Sequence, residues 1–510
     1  MNDNKTGTPS REILFRCLLG AFLVVTLVAL FGALGRTEVC HTDEATYGVN
    51  AYEMLKTGSF LAHSLRYKLD YYNSKPPLLL WFIMLGYRIF GYNPLGLRFF
   101  SAVFGLLTCI ISIAFALDSG GKMKALLFAA FFPACGQLFR YHMLRTGDAD
   151  SIFVFFVMLG IVALYLARRS PDWLLLFGAS AGLAFMTKSS HALPLLAVGF
   201  LYIPAMVKHC GVKRAFLRYL GAAGVCGTVI LPWALIRYRL DGLAFFKAMF
   251  IGETEGRVMA NFGNSVHEYF AYGLQLIREP VCLISILLIL SAIITAAIRK
   301  DKNKKNLLRL VLAVDDKGAS VFLEICLAAV TLFLFSALKA VLDWYIYPAY
   351  IPLMLLGADS AVYLFSRAKA SRLWYAALLL SSAALAVLNI QKYPWVSSGG
   401  SPRIALYSDL TELSEKDITG LRGRRAYIEN SFNIAKPRDI WEHDNIFYAY
   451  ATLDLLCCDG GVEGFLADED SDALLILDKT LWEDYAPVLT GHVILEDNTY
   501  LVFSKALYGE

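Results

Sequence analysis

Long apolar runs recur along this chain, many of about 17 to 25 residues, and they restrict the possible folds more than any other feature. A helix of about 20 residues rises roughly 30 Å, the thickness of a bilayer's hydrocarbon core. Apolar residues make up 57% of the 510 and aromatics 14%, too much for an ordinary soluble protein. The expected fold is an all-α polytopic membrane protein with about 11–13 transmembrane helices. The formal charge of +4 hides a division. From residue 401 onward acids outnumber bases for a balance of −12, against +16 for the first 400 residues. A basic membrane part (1–395) and a small acidic, water-soluble α/β domain (396–510) follow from that asymmetry.

Basic loops orient the spans. Lys5, Arg11 and Arg16 place the N-terminus inside, and Ile13 to Leu34 reads as a retained anchor. The apolar piece Pro77 to Phe90 is short and carries Arg88, which suits an interfacial or re-entrant helix. About eleven spans remain on that reading, with the loops carrying Lys122 and Lys124, Arg299 to Arg309, and Arg367 all cytoplasmic. In the tail, Arg403 to Tyr407, Arg425 to Glu429, Leu474 to Leu477, Val493 to Leu495 and Tyr500 to Phe503 read as β-rich, with Leu481 to Ala486 helix-compatible. The ten cysteines show no CxxC or other metal-ligand spacing, so neither a disulfide framework nor a cysteine metal site is expected.

This topology gathers the remaining polar groups on the outer face. Asp43 and Glu44 open a loop of about residues 35–94, which continues through Lys75 beside two prolines. Arg145, Asp148 and Asp150 follow a later span, then Lys188, then a loop with Glu253, Arg257, His267 and Glu268, and finally Lys339. Polar groups held against a bilayer usually have a function. A carboxylate can take a proton from an acceptor hydroxyl. Lysine and arginine can stabilise a departing phosphate. Each group also has a purely structural reading. Asp43 and Glu44 could cap a surface helix running to Leu55, Asp150 could be an N-cap, and Lys188 could be a topological anchor. Their shared side is the argument for a site.

The stretches HTDEATYGVNAYEML (41–55), NSKPPLLLW (73–81), LGLRFFSAVFGLL (95–107), RTGDADSIFVFF (145–156), GLAFMTKSSHALPLL (182–196) and WYIYPAYIPLMLLG (344–357) occur in this order. Together they resemble the polyprenyl-phosphate-sugar-dependent glycosyltransferases of the GT-C fold, in a bacterial branch akin to protein O-mannosyltransferases and the lipid A aminoarabinose transferase. The resemblance runs from about residue 13 to 365 and leaves out the tail. It implies an inverting transfer with Asp43 as catalytic base, Glu44 orienting it or the acceptor, and Asp150 as second acid. It implies Lys75 on the carrier phosphate, with Lys188 and Arg257 as further candidates. Arg98, Arg145, Asp148, His267, Lys339 and Tyr345 are additional candidates. Ser74 stands where the aminoarabinose branch has an acidic residue, so that sugar is not supported.

The implied partners are a polyprenyl-phosphate-linked sugar, membrane lipids, and a lipid, glycan or protein acceptor on the extracytoplasmic side of an inner (plasma) membrane. Nothing points to nucleic acid. No GxGxxG is present for a nucleotide sugar, and no cofactor is demanded, although a divalent metal is compatible with related enzymes. Two other classes compete. A transporter or flippase of lipid-linked sugars should show inverted repeats and charges at the bilayer midplane. A scaffold working through its acidic tail would leave the Asp43 to Lys75 loop unexplained.

Overall fold

The computed structural model describes residues 9–39, 42–140, 142–254, 270–298, 316–338, 341–393, 402–416, 420–430, 443–489 and 492–505. Contacts divide the chain into two compact units. These do not follow a linear boundary at 395/396. Residues 1–32, 74–79 and 101–393 form one unit, and 33–73, 80–100 and 394–510 the other.

The first unit is helical and carries most of the apolar runs. It contains α1 (Pro9–Phe31), most of α4 (Pro94–Gly120), α5 (Lys122–Ala134), α6 (Asp150–Leu166) and α7 (Trp173–Lys188). These are followed by α8 (Leu193–Leu201), α9 (Ile203–Cys210), α10 (Val212–Asp241), α11 (Ala244–Thr254), α12 (Ala271–Arg278) and α13 (Pro280–Ile298). It closes with α14 (Asp316–Ser336), α15 (Tyr347–Phe365) and α16 (Ser371–Gln391). Among the described residues, eight helical stretches are long and apolar enough to cross a membrane. Two other expected spans are helices of 13 residues (α5) and 17 residues (α6), while α7 to α9 run together as one of the eight. α7 packs against α6 and α10, and α15 against α13 and α14.

One basic residue expected in a cytoplasmic loop is elsewhere. Lys124 lies within α5, fully buried, with Nζ 2.7 Å from Glu324 and 2.6 Å from Asp359. Two carboxylates compensate the loss of water around one ammonium, so this lysine joins helices α5, α14 and α15.

The second unit combines the first loop with the acidic tail. Its α2 (Thr42–Thr57) is followed by a two-stranded hairpin, β1 (Ser64–Leu65) with β2 (Lys68–Leu69). The helix α3 (Leu78–Phe90) has 13 residues, the short apolar element expected there. The tail has α17 (Pro402–Lys416), β3 (Arg425–Glu429), α18 (His443–Leu453), β4 (Leu456–Cys458), α19 (Gly461–Ala467), β5 (Leu474–Asp478), α20 (Trp482–Tyr485), β6 (His492–Glu496) and β7 (Tyr500–Ser504). Its sheet has the order β4-β3-β5-β7-β6, parallel where β3 meets β4 and β5, and antiparallel where β7 meets β5 and β6. Tyr427, Phe465, Leu475, Leu477 and Phe503 form its core. Arg403 to Tyr407, read as β-rich from the sequence, is helical instead. Leu406, Tyr407 and Leu410 fall on one buried helical face as α17 packs on α18, and this period outweighs the local alternation.

The tail is fastened to the first loop through α2. Gly48 lies so close to Phe447 that a Cβ there would come within 2.9 Å of its ring. The Val39 N–H donates to the Tyr448 hydroxyl (2.9 Å), and Lys56 pairs with Asp454 (2.8 Å).

Candidate active site

In the second unit one group of candidate residues lies at the first turn of α2. Asp43 is half-buried there, where the helix N-terminus favours a negative charge. Glu44 is fully buried and grips Arg98 with both oxygens, at 2.6 Å to Nε and 2.8 Å to Nη2. Arg98 also donates to the carbonyls of Leu34 (3.2 Å), Thr37 (2.8 Å) and Glu38 (3.0 Å). Its guanidinium thus ties the backbone leading into α2 to the start of α4. Arg98 holds this loop in shape, and Glu44 is the anion that keeps it there.

A second buried acid, absent from the sequence reading, steadies the other end of α2. Glu53 accepts hydrogen bonds from Ser64 Oγ (2.6 Å), the N–H groups of Arg66 (2.7 Å) and Tyr67 (2.9 Å), and the Tyr450 hydroxyl (2.8 Å). Burial pushes its carboxyl up in spite of these donors. Arg66 and Tyr67 both adopt left-handed backbone (φ 52° and 61°), an uncommon conformation that the two N–H bonds to Glu53 help to hold.

In the first unit, Asp150 opens α6 and Lys188 ends α7. They meet in a buried ion pair at 2.5 Å. Asp150 is the first helical residue rather than the N-cap, which is Ala149. Lys188 is followed by Ser189 in left-handed backbone (φ 43°), and its ammonium lies 5.8 Å from the Tyr345 ring centre. Lys75, half-buried, acts electrostatically on both Lys188 and Asp148. Asp148 is buried, with Oδ1 3.0 Å from His142 Nδ1. Burial works to raise the Asp148 carboxyl, but the charge and hydrogen bond of His142, with Thr146 and the Lys75 charge, hold it below its ordinary value.

His142 itself stacks on Trp344 at 3.8 Å, and His191 meets Tyr345 edge-on at 4.9 Å. Neither histidine was expected from the sequence, although His191 lies inside the 182–196 stretch. His142 Nδ1 and Asp148 Oδ1 form a paired acid and base, and their separation is one that two ligands of a single metal ion can also adopt.

Arg145 is brought close but is otherwise employed. Its guanidinium donates to the carbonyls of Ala29 (2.8 Å), Leu30 (3.1 Å) and Gly32 (2.8 Å) and lies 3.7 Å from the Tyr393 ring centre. It caps the end of α1. Arg257, His267 and Lys339 lie outside the described residues.

The architecture and the clustered charges define a class, the GT-C-fold membrane proteins. In fold the chain is similar to ArnT from Cupriavidus metallidurans bound to undecaprenyl phosphate, with a TM-score of 0.68 over 98% of this chain and 99% of that one at 16% identity. It is similar, at a TM-score of 0.54, to the archaeal oligosaccharyltransferase AglB from Archaeoglobus fulgidus, covering 93% of this chain and 70% of that one at 11% identity. Residues 74–236 match the family described as dolichyl-phosphate-mannose-protein mannosyltransferase. What the chain shares with glycosyltransferases of the mannosyltransferase and aminoarabinose-transferase type is the fold over nearly its whole length and a sequence match over residues 74–236. It is 31% identical, over 43% of its own length, to undecaprenyl phosphate-alpha-4-amino-4-deoxy-L-arabinose arabinosyl transferase 2 of Pseudomonas fluorescens, and spans 39% of that relative. An uncharacterized protein of Aquifex aeolicus is 29% identical over 47% of each chain. The chain thus spans less than half the length of these curated relatives.

Proposed function

We propose that this protein transfers a sugar from a polyprenyl-phosphate carrier to an extracytoplasmic lipid, glycan or protein acceptor at the inner membrane. The observation that carries this reading is the buried Lys188–Asp150 ion pair, with Lys75 and Asp148 near enough to act on it electrostatically. Asp148 and Asp150 balance the two ammonium charges at rest. A carrier phosphate bound beside them gains from both ammonium groups as its charge grows while the glycosidic bond breaks. Asp150 aims the Lys188 ammonium, with Tyr345 as the wall beside it.

The reaction starts with Asp43 removing the acceptor's hydroxyl proton. The acceptor oxygen then bonds to the anomeric carbon as that carbon's bond to the phosphate oxygen breaks, inverting the centre. The electron pair leaves on polyprenyl phosphate, neutralised by Lys75 and Lys188. Glu44 and Arg98 fix the first turn of α2 and so the direction of Asp43. The linear domain reading, with residues 396–510 as a soluble extracytoplasmic part, fits an acidic tail that braces the loop bearing Asp43.

Membranes carrying wild type, Asp43→Asn or Lys75→Ala, at equal protein levels, would be given radiolabelled polyprenyl-phosphate sugars and native envelope extract. Transfer by wild type that falls by about 10²- to 10⁴-fold in Asp43→Asn is expected from loss of a general base. Undiminished transfer by that variant would remove Asp43 from the chemistry. Movement of labelled lipid between leaflets without transfer to any acceptor would favour a flippase.

A further inference from the structure

A cleft of about 530 Å³ in the first unit lies apart from the Asp150–Lys188 pair. Three cations from three elements converge on it: Arg140 after the turn Gly136–Phe139, Arg278 at the end of α12, and Lys392 just past α16. No carboxylate among the described residues forms an ion pair with Arg278 or Lys392. The cleft does contain two acids, Glu279 and Asp343. Glu279 accepts the N–H groups of Gly136 (3.2 Å) and Gln137 (3.0 Å) and offsets part of the Arg140 charge. The balance remains cationic.

Leucines share the lining with these cations. They are Leu274, Leu385 and Leu388, and Leu388 stands 54% exposed on a helix long and apolar enough to cross a membrane. Leucines beside cations match an amphiphile with an anionic head better than a soluble anion, which would gain nothing from the leucines. Basic pockets between transmembrane helices bind lipid headgroups on these terms. The volume is in the range of small-ligand sites.

We infer that this cleft is a second anion site, one that holds the phosphate of a membrane lipid against Arg140, Arg278 and Lys392 with an acyl chain along Leu385 and Leu388. It has its own cations and uses neither Lys75 nor Lys188. Gln137 lines the cleft and also hydrogen-bonds Tyr347, which feels the charges of Asp150 and Asp148. An occupied cleft therefore stands one side chain away from the candidate transfer site.

The full chain, purified in detergent, would be titrated with phosphatidylglycerol, phosphatidylcholine and inorganic phosphate and read by native mass spectrometry. Wild type is expected to retain one phosphatidylglycerol at least tenfold more tightly than phosphatidylcholine. Arg278→Gln with Lys392→Gln should remove that preference. Lys75→Ala should leave it unchanged, which separates this site from the carrier phosphate. Leu388→Asn should weaken both lipids, and melting curves would confirm that each variant folds. Equal retention of the two lipids by wild type, or unchanged preference in the double variant, overturns the assignment. Inorganic phosphate binding as tightly as phosphatidylglycerol, with the same dependence on Arg278 and Lys392, would make it a soluble-phosphate site and overturn the lipid.

Discussion

Changing Glu44 to Gln separates a positioning acid from one that touches substrate. Glu44 and Arg98 are both almost wholly removed from solvent, and the carboxylate is gripped at two points. Removing one charge of such a pair strands the other, at a cost of about 3–5 kcal/mol. Arg98 keeps three backbone carbonyls, so the lower end applies to Glu44→Gln. At about 1.4 kcal/mol per factor of ten, roughly 3 kcal/mol opens the 34–44 segment about 10²-fold more often. Arg98→Met should cost more, because it strands both a buried carboxylate and those carbonyls. In the double variant the losses should sum to less than the two singles, as for any coupled pair. Native-state proteolysis of residues 33–73 measures the opening, and sugar transfer is followed in the same samples. Transfer should fall in step with protection. Should Glu44→Gln keep full protection while transfer drops 10²-fold, Glu44 would be acting on the substrate and the positioning argument would be wrong.

Lys188→Met should destabilise the protein by about 3 kcal/mol or more by leaving Asp150 buried and unpaired, whereas adding Asp150→Leu should recover much of the melting temperature but none of the transfer; recovery of transfer would disprove the phosphate role of Lys188. Asp148 is held below its ordinary value in the folded chain, so its contribution is present above the unfolded value and is lost as pH falls through the folded one, below about pH 4. Melting curves from pH 6 to 3 should therefore drop more steeply for wild type than for Asp148→Asn, and parallel curves would contradict this. Arg145→Met should lower stability by about 1–3 kcal/mol through uncapped carbonyls of α1 while leaving the KM for the sugar donor unchanged; a raised KM would return Arg145 to the donor site.

How much of this was legible beforehand follows from distance along the chain. The helix at Thr42–Thr57, the apolar helices and four of the five tail strands are written in short windows of sequence, because hydropathy, period and caps act over a few residues. The Asp43, Lys75, Asp150 and Lys188 candidates came from ordered stretches and from the side of the membrane that the basic loops led one to expect for all four. The sequence by itself therefore determined the membrane class, the acidic tail and which charges to suspect. Only the tertiary structure decided which groups those charges meet. Glu44 finds Arg98 54 residues away, Asp150 finds Lys188 at 38, Lys124 finds Glu324 at 200, and Glu53 finds Tyr450 at 397. An arginine followed by its neighbours looks the same whether it will meet a phosphate or, like Arg98 and Arg145, a set of carbonyls. Buried charges must be compensated, but the compensating group is chosen by how helices pack, and packing brings together residues that no local window contains.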